Sequence, residues 1–286
     1  MTLIFQDPEK SRSCSVEALA LAECIGDKRW TAMSLLHLGC IAANSRKNAQ
    51  AKTYFSRALK IFRTISDSWG IANTLRVHGF SLLETPRGLK RGVEMLNESI
   101  ELSEAVGDLA NLAWLYQHLA WASMMQEKYQ DAIAWIRKSF FYAEKVNQTI
   151  VIENREILGT ILGAMGQYSE SINRLVDAMM TWLDQGRLIS VVHCIEQLAI
   201  SFIGWGMLGA AARLMGAAAV LYNKLPQGFK TPIAANFDKY VRSAKAELGG
   251  PAFGKQYEAG KTMTVPQVKD LCNVPMDQLG RYCSLP

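Results

Sequence analysis

The residues best suited to chemistry are two tryptophans that stand among fixed charges. Trp114 and Trp121 are seven residues apart, which places them two turns apart on one side of a helix. Fixed charges precede and follow them in the chain: Arg76, Glu153, Glu156 and Glu196. Aromatic planes beside fixed charges suit a ligand that is partly polar and partly apolar, such as a peptide segment or a sugar. The sequence therefore favours binding as the chemistry of this chain.

Catalytic and metal-binding patterns are missing from the sequence. It contains no GxSxG or HExxH motif, and the pair Glu153 and Glu156, one helical turn apart, is typical of an acidic surface patch. Four histidines fall in different predicted helices, at three different positions within them: His37, His78, His118 and His193. A zinc ion needs ligands that converge on bonds of about 2.0–2.1 Å. We therefore expect no enzyme activity, no catalytic residue, no metal and no other cofactor.

One segment nearly matches a phosphate-binding loop. Residues 249–256, GGPAFGKQ, fit GxxxxGK[ST] except that Gln256 replaces the hydroxyl residue that would coordinate Mg²⁺. The segment also follows a helical pattern, whereas the motif requires a buried strand before it. We therefore expect Gly249 and Gly250 to end one helix and Pro251 to begin the next.

The elements that must position the tryptophans and charges repeat along the chain. One column of small residues recurs at intervals of 40, 41, 39 and 40 residues: Gly39, Gly79, Ala120, Gly159 and Ala199. A second column follows it by 12 residues, or by 13 in the second copy: Ala51, Gly92, Ala132, Ser171 and Ala211. Two antiparallel helices need small residues where their backbones approach each other. The columns therefore predict a stack of helix pairs.

Capping residues and prolines indicate where these helices begin and end. Asp27, Asp67 and Asp108 lie at matching phase, and each is a predicted N-cap. A single proline lies between Glu9 and Leu225, whereas six follow Leu225. We therefore predict helical repeats over 1–225 and a C-terminal helical cap over 226–286. The predicted repeats are a half repeat at 8–26 and pairs at 27–66, 67–107, 108–147, 148–186 and 187–224.

The columns resemble the tetratricopeptide repeat (TPR), whose first helix carries a small residue and whose second carries Ala, a large apolar residue and Ala. The match covers about residues 10–221, with a period of about 40 residues instead of about 34. The resemblance implies an all-α, TPR-like α-solenoid: a right-handed superhelix of antiparallel helix pairs.

The same resemblance implies a concave groove lined by one face of the first helix of each pair. The candidate binding residues on that face are Arg76, Phe80, Trp114, Gln117, Trp121, Glu153, Glu156, His193 and Glu196. A second interpretation stays open, in which the tail folds back over the groove and the tryptophans are ordinary core residues.

The end of the chain resembles a narrower group of proteins. Residues 212–221 and 246–271 are similar to the end of the repeat region in large bacterial transcription regulators, which combine a signal-transduction (STAND) ATPase, a DNA-binding module and a helical repeat sensor. The resemblance implies a sensor or scaffold arm that binds a protein or peptide partner or a small-molecule effector. The upstream ATPase and DNA-binding modules would be further partners. The alternative is a stand-alone adaptor that assembles other proteins without a role in transcription.

Charge, cysteines and hydropathy exclude several classes of protein. The formal net charge is +5 and its basic residues are scattered, so we expect no direct binding of nucleic acid. None of the six cysteines forms a CxxC pair, which is typical of reduced cytosolic thiols. The most apolar stretch, 198–212, is shorter than the roughly 20 residues of a membrane span, and MTLIFQDPEK lacks the features of a signal peptide. We therefore expect a cytoplasmic protein with no membrane partner.

Overall fold

The computed structural model describes residues 8–83, 86–225 and 234–273. These residues form fourteen α-helices and no strand, which confirms the all-α prediction. The first seven helices are α1 (Pro8–Ile25), α2 (Lys28–Asn44), α3 (Asn48–Thr64), α4 (Ser68–Leu82), α5 (Pro86–Val106), α6 (Leu109–Met124) and α7 (Tyr129–Val146). The others are α8 (Gln148–Ala164), α9 (Tyr168–Asp184), α10 (Leu188–Gly204), α11 (Leu208–Tyr222), α12 (Ala234–Leu248), α13 (Gly250–Lys261) and α14 (Val265–Cys272).

The helices pack in consecutive pairs and form two compact units. The first unit extends to Ile150 and the second begins at Val151, within α8. In the first unit α1 to α7 pack one after another, and α4 also contacts α2 and α6. In the second unit α9 to α13 pack consecutively. Within the first unit, α2, α4 and α6 are therefore neighbours, and α3, α5 and α7 cover their other side as the second helices of the pairs.

The small residues of the two columns lie where paired helices approach most closely. A Cβ atom added to Gly79 would lie 2.9 Å from the carbonyl oxygen of Gly92, and one added to Gly92 would lie 2.6 Å from that of Gly79. A Cβ atom on Gly159 would lie 2.8 Å from Cγ of Leu175. These are closer than real Cβ contacts, so even alanine would force the helices or side chains to move.

The helices begin at the predicted caps. Asp27, Asp67 and Asp108 accept hydrogen bonds from backbone N–H groups three residues ahead, at 2.9, 2.8 and 2.9 Å, which confirms all three predicted N-caps. These bonds satisfy N–H groups that would otherwise lack partners at the start of α2, α4 and α6. The three helices that carry one column of small residues thus begin in the same way.

The turns between helices repeat a left-handed residue just after the helix end. Glycine takes this conformation at Gly26 and Gly107, whereas Arg46, Ser66 and Glu127 adopt positive φ angles of 56°, 53° and 58°. Glycine reaches this region without the steric penalty that other residues pay. Among the described residues of the second unit, those with positive φ are all glycines: Gly166, Gly186, Gly206 and Gly249.

The described part of the tail packs on the last helices of the second unit. The helix α12 contacts α10 and α11, α13 packs on α11, and α14 contacts α9 and α11. At the α11–α13 contact, a Cβ atom on Gly216 or Gly260 would overlap the facing backbone. Residues 226–233 and 274–286 of the predicted cap, and residues 1–7 and 84–85 of the predicted repeats, lie outside the described residues.

The segment that nearly matches a phosphate-binding loop spans the junction between two helices, as predicted, but the second helix begins one residue earlier than predicted, at Gly250 instead of Pro251. Gly249 lies at the N-cap of α13 with φ +85°, and Pro251 stands in the first turn of that helix. Gln256 is buried in α13, where its side-chain oxygen accepts a hydrogen bond from Nε of Arg213 at 2.5 Å.

Over the described residues, none of the helices combines the length and the apolar character needed to cross a lipid bilayer.

Candidate functional site

Two clusters of polar side chains lie between the first helices of neighbouring pairs, one cluster in each unit. The Arg76 cluster, in the first unit, consists of Asn73, Arg76 and Phe80 from α4 and Asn111, Trp114 and His118 from α6. The Glu156 cluster, in the second unit, consists of Glu156 from α8, Trp182 from α9, and His193, Cys194 and Glu196 from α10.

The centre of the Arg76 cluster is a buried guanidinium group. Arg76 is 7% exposed, and its Nε–H donates to Oδ1 of Asn111 at 2.6 Å. Its Nη1 lies 3.4 Å from Nε2 of His118 and its Nη2 lies 3.5 Å from Oδ1 of Asn73. Every one of these partners is neutral. Among the described residues, no carboxylate oxygen lies within 4.0 Å of the Arg76 nitrogens.

Asn111 is held in place by the second helix of the preceding pair. Its Nδ2 donates to Oγ of Ser103 on α5 at 2.8 Å, and Ser103 in turn donates to the backbone oxygen of Ser99. The side chain of Asn111 is therefore oriented with its oxygen toward Arg76. This orientation makes the amide a fixed acceptor for the cation.

Aromatic rings form the rest of the Arg76 cluster. His118 stacks on Phe80 with 4.1 Å between ring centroids, and Trp114 lies 6.2 Å from His118. Cζ of Arg76 lies 5.9 Å from the centroid of the Trp114 ring, within the range of a cation–π contact. Phe80 is 40% exposed, so one face of this ring assembly reaches solvent.

Burial, modified by the charge of Arg76, shifts the pKa values of its neighbours His118 and Cys40. Burial, together with the adjacent charge of Arg76, holds the pKa of His118 well below its ordinary value of 6.5. Because arginine can only donate, Nε2 of the neutral His118 ring must accept, which leaves the proton on Nδ1. Burial raises the pKa of Cys40 on α2 to about 11, although the charge of Arg76 partly opposes that rise. The cluster therefore contains one positive charge among neutral groups.

The Glu156 cluster has the opposite sign at its centre. Oε2 of Glu156 accepts a hydrogen bond from Nε1 of Trp182 at 2.9 Å, and Oε1 contacts Nδ1 of His193. Burial alone would lower the pKa of His193, but the charge of Glu156, its hydrogen bond to the ring and the charge of Glu196 raise it overall. The Nε2 atom of His193 is buried without a hydrogen-bond partner among the described residues.

The other ionisable groups near Glu156 are one thiol, that of Cys194, and the carboxyl groups of Glu196 and Glu153. Burial, followed by the charge and hydrogen bond of Glu156, raises the pKa of the Cys194 thiol well above its ordinary value. Glu196 is fully buried one helical turn after His193, and Glu153 is half-buried one turn before Glu156. The cluster thus concentrates carboxylates around one histidine.

The structure places the nine candidate residues from the sequence in three settings. Arg76, Phe80 and Trp114 lie together in the Arg76 cluster. Glu156, His193 and Glu196 lie together in the Glu156 cluster, and Glu153 is half-buried one helical turn before Glu156. Gln117 is buried in α6, and Trp121 is half-buried against the hydrophobic cluster formed by α5, α6 and the end of α4. Trp121 therefore has the packing of a side chain that lines the core of its own helix pairs.

Five members of the clusters were not among the candidate residues from sequence: Asn73, Asn111, His118, Trp182 and Cys194. Asn111, Trp114 and His118 are spaced by three and four residues, so they form a helical stripe next to the one chosen. Trp182 stands 11 residues after Ser171 of the second column, as Phe62 and Ser103 stand 11 after Ala51 and Gly92. The side chains of Phe62, Ser103 and Trp182 are all buried. They form a further column of the repeat, which is the sequence pattern that could have indicated Trp182.

No group of three or more His, Cys, Asp or Glu side chains with the arrangement of a metal site occurs among the described residues. In sequence comparison the chain matches no protein-family model and no curated protein.

Proposed function

We propose that this chain is a non-catalytic binding module built as a TPR-like α-solenoid, in which the first helices of the pairs present the binding face. Consecutive helix pairs, glycines at the contacts within pairs and one recurring turn support this architecture. The proposed superhelix repeats about every 40 residues, because it is built by stacking helical hairpins of similar length. In this arrangement one face of α2, α4 and α6 remains available to a ligand.

The observation that carries this proposal is the Arg76 cluster. A buried cation without an acidic partner is costly for the fold, since burying a charge removes its hydration. The fold does not require a charge at this position: the equivalent residue of α2, three before Gly39, is the buried Leu36. A buried charge with neutral neighbours and a partly exposed ring is better explained by a ligand than by stability.

The thiols of Cys40, near the Arg76 cluster, and of Cys194, in the Glu156 cluster, support a role without catalysis. Burial raises the pKa of Cys40 to about 11 and that of Cys194 well above its ordinary value, so neither is a thiolate near neutral pH. A protonated, buried thiol is a poor nucleophile. The Arg76 cluster offers hydrogen-bond donors and rings, which are groups that position a ligand.

We further propose that the module is the sensor or scaffold arm of a cytoplasmic bacterial transcription regulator. The support is the similarity of residues 212–221 and 246–271 to the end of such repeat regions. Its partners would be a protein segment or small effector on the binding face, together with the ATPase and DNA-binding modules of the regulator. A stand-alone adaptor is the alternative. Genomic sequence around the coding region separates the two, because the regulator requires an ATPase and a DNA-binding module encoded with this chain.

Two exposed phenylalanines of the first unit provide a matched test of the binding face. Phe80 lies on α4 in the Arg76 cluster, whereas Phe141 lies on α7, a second helix, and is 56% exposed. Ligands selected from a random-peptide display library, or detected by native mass spectrometry in a metabolite screen, are measured by calorimetry. We expect Phe80→Ala to weaken binding at least tenfold and Phe141→Ala to leave it unchanged. Binding that survives Phe80→Ala but is lost in Phe141→Ala would contradict the proposed face.

A further inference from the structure

The Arg76 guanidinium forms no ion pair with a carboxylate among the described residues. Asn73, Asn111 and His118 accept its hydrogen bonds, but none of them is an anion. The charge of Asp108 acts on Arg76, but the carboxylate of Asp108 accepts the backbone N–H of Asn111 at the start of α6. Asp108 therefore offsets part of the charge from a distance, but among the described residues no anion contacts the guanidinium directly.

Hydrogen-bond donors remain available on the same group. An arginine side chain has five N–H donors, one on Nε and two on each terminal nitrogen. The three observed contacts use one donor on each nitrogen of Arg76. One N–H is left on Nη1 and one on Nη2. Two N–H groups on neighbouring nitrogens match the two oxygens of a carboxylate.

The surroundings favour an acid that carries a flat apolar group. Phe80 stands one helical turn after Arg76 on α4 and is 40% exposed, while its ring stacks on the neutral His118. Trp114 provides a second aromatic surface near the guanidinium. A ligand that pairs with Arg76 can therefore lay an apolar group on Phe80, which adds burial of apolar surface to the charge-assisted hydrogen bonds.

We propose that the Arg76 cluster is a binding site for the carboxylate of a ligand, with an aromatic or other flat apolar group of that ligand packed on Phe80. The inference rests on the proposed binding function and names the ligand chemistry at that face. A single cation favours a monoanion, because a phosphate dianion would leave a negative charge uncompensated next to buried apolar rings.

Benzoate and its neutral analogue benzamide test this assignment on the full chain. They share a ring and differ in the charge of the group that would meet Arg76. We expect the Kd of benzoate, from NMR titration, to be at least tenfold below that of benzamide. Equal affinities for the two compounds would overturn the proposal, and so would tighter binding of inorganic phosphate than of benzoate.

The variants Arg76→Gln and Arg57→Gln show whether the preference for benzoate over benzamide depends on Arg76. Arg57 lies on the second helix α3, is 52% exposed and pairs with Glu23 at 3.4 Å, so it is a matched surface control. In Arg76→Gln the affinities for benzoate and benzamide should become equal, whereas Arg57→Gln should keep the preference for the acid. A preference that persists in a folded Arg76→Gln variant would overturn the proposal.

A second measurement does not depend on whether the Arg76→Gln variant folds. In the unchanged protein, benzoate should shift the Nε–H resonance of Arg76 in ¹⁵N spectra more than benzamide does. The Arg57 resonance should remain in place with both compounds. An Arg76 resonance that does not respond to benzoate would contradict the site.

Two peptides ending in phenylalanine, one with a free C-terminal carboxylate and one amidated, identify the source of the acid. If the free peptide binds more tightly than benzoate, the site takes a chain terminus, and if benzoate binds more tightly, it takes a small free acid. Either result supports a carboxylate site. If display-selected ligands bind through Phe80 but no probe distinguishes acid from amide, the binding function stands and the carboxylate assignment falls.

Discussion

Arg76 in the first unit and Glu156 in the second occupy the same position of the repeated helix pair, but they carry opposite charges. Each stands three residues before a first-column glycine, Gly79 or Gly159. Their partners on the next first helix are also equivalent: Trp114 and His193 each stand six residues before the first-column alanines Ala120 and Ala199. One repeated geometry thus holds a cation against an indole ring in one unit and an anion against an imidazole in the other.

The two units satisfy these buried charges in different ways. Glu156 receives the N–H of Trp182 and contacts His193, whose pKa is raised, so this anion has a cationic partner within its own unit. Arg76 has only neutral partners among the described residues. The comparison teaches that Glu156 directly contacts a cationic partner within its unit, whereas Arg76 has a nearby anion, Asp108, but no anion in direct contact among the described residues.

Substituting leucine for each central charge should have the largest effect. Glu156→Leu removes the acceptor of Trp182 and leaves the buried imidazole of His193 without its counter-charge, so it should cost about 3–5 kcal/mol of unfolding free energy. Arg76→Leu should cost about 1 kcal/mol or less, since the loss of hydrogen bonds is offset by removal of a buried charge. Urea unfolding followed by circular dichroism measures both. Equal costs would remove the distinction between the units.

Substitutions of the glycines at the helix contacts should cause the next largest losses of unfolding free energy. Gly79→Ala should cost about 2–3 kcal/mol, because its Cβ would meet the backbone oxygen of Gly92, which cannot turn away. Gly159→Ala should cost about 1 kcal/mol, since the facing backbone oxygen, that of Ser171, is farther away at 3.2 Å and the closest contact is with the side chain of Leu175. Chemical denaturation of both variants tests the ranking. A larger cost at Gly159 would show that the closeness of backbones does not control these contacts.

A smaller effect is expected in the turns. Glu127 of the first unit has φ 58°, whereas the turns of the second unit place glycine at this conformation. Glu127→Gly should stabilise the protein by about 0.5–1 kcal/mol, because relief of left-handed strain exceeds the entropy that glycine adds to the unfolded chain. Gly206→Ala is the reciprocal change and should be destabilising in thermal unfolding. If both substitutions change the stability in the same direction, the positive φ angle is not what controls the stability of these turns.

The pH dependence of stability should differ in direction between the two buried histidines. The folded pKa of His118 is lowered, so its contribution is present above the unfolded value of 6.5 and is lost as the pH falls. The folded pKa of His193 is raised, so its contribution is present below 6.5 and is lost as the pH rises through the folded pKa. His118→Gln should reduce the loss of stability in acid, and His193→Gln should reduce the loss above neutral pH. Stability curves measured by urea unfolding check both signs.

The helix pairs could be predicted from the sequence because their contacts leave a periodic trace. Gly39, Gly79 and Gly159 recur where the second helix of each pair packs closely, and the Asp caps recur where first helices begin, so both features can be predicted from spacing alone. The same logic identified GGPAFGKQ as helix end and helix start. These features depend on residues that are close together in the sequence, so the sequence alone is enough to predict them.

The composition of the two clusters was less accessible to the sequence. Arg76, Phe80 and Trp114 share the face that the repeat resemblance suggested, but His118 and Asn111 project from the adjacent stripe of α6. Which stripe meets the long side chain of Arg76 depends on how α4 and α6 cross and on the lean of side chains toward the helix N-terminus. Trp182 reaches Glu156 from a second helix, and its column also holds Phe62 and Ser103, so residue type alone does not show that this position makes a polar contact.

The most direct measurement of the central claim is an NMR pH titration of His118 and His193 in the same sample of the full chain. The account predicts that His118, beside the cationic Arg76, stays neutral well below pH 6.5, whereas His193, paired with Glu156, stays protonated above that pH. If the two rings titrate together, or if His118 is the one that stays protonated, the two units do not treat their buried charges in opposite ways and the account is wrong.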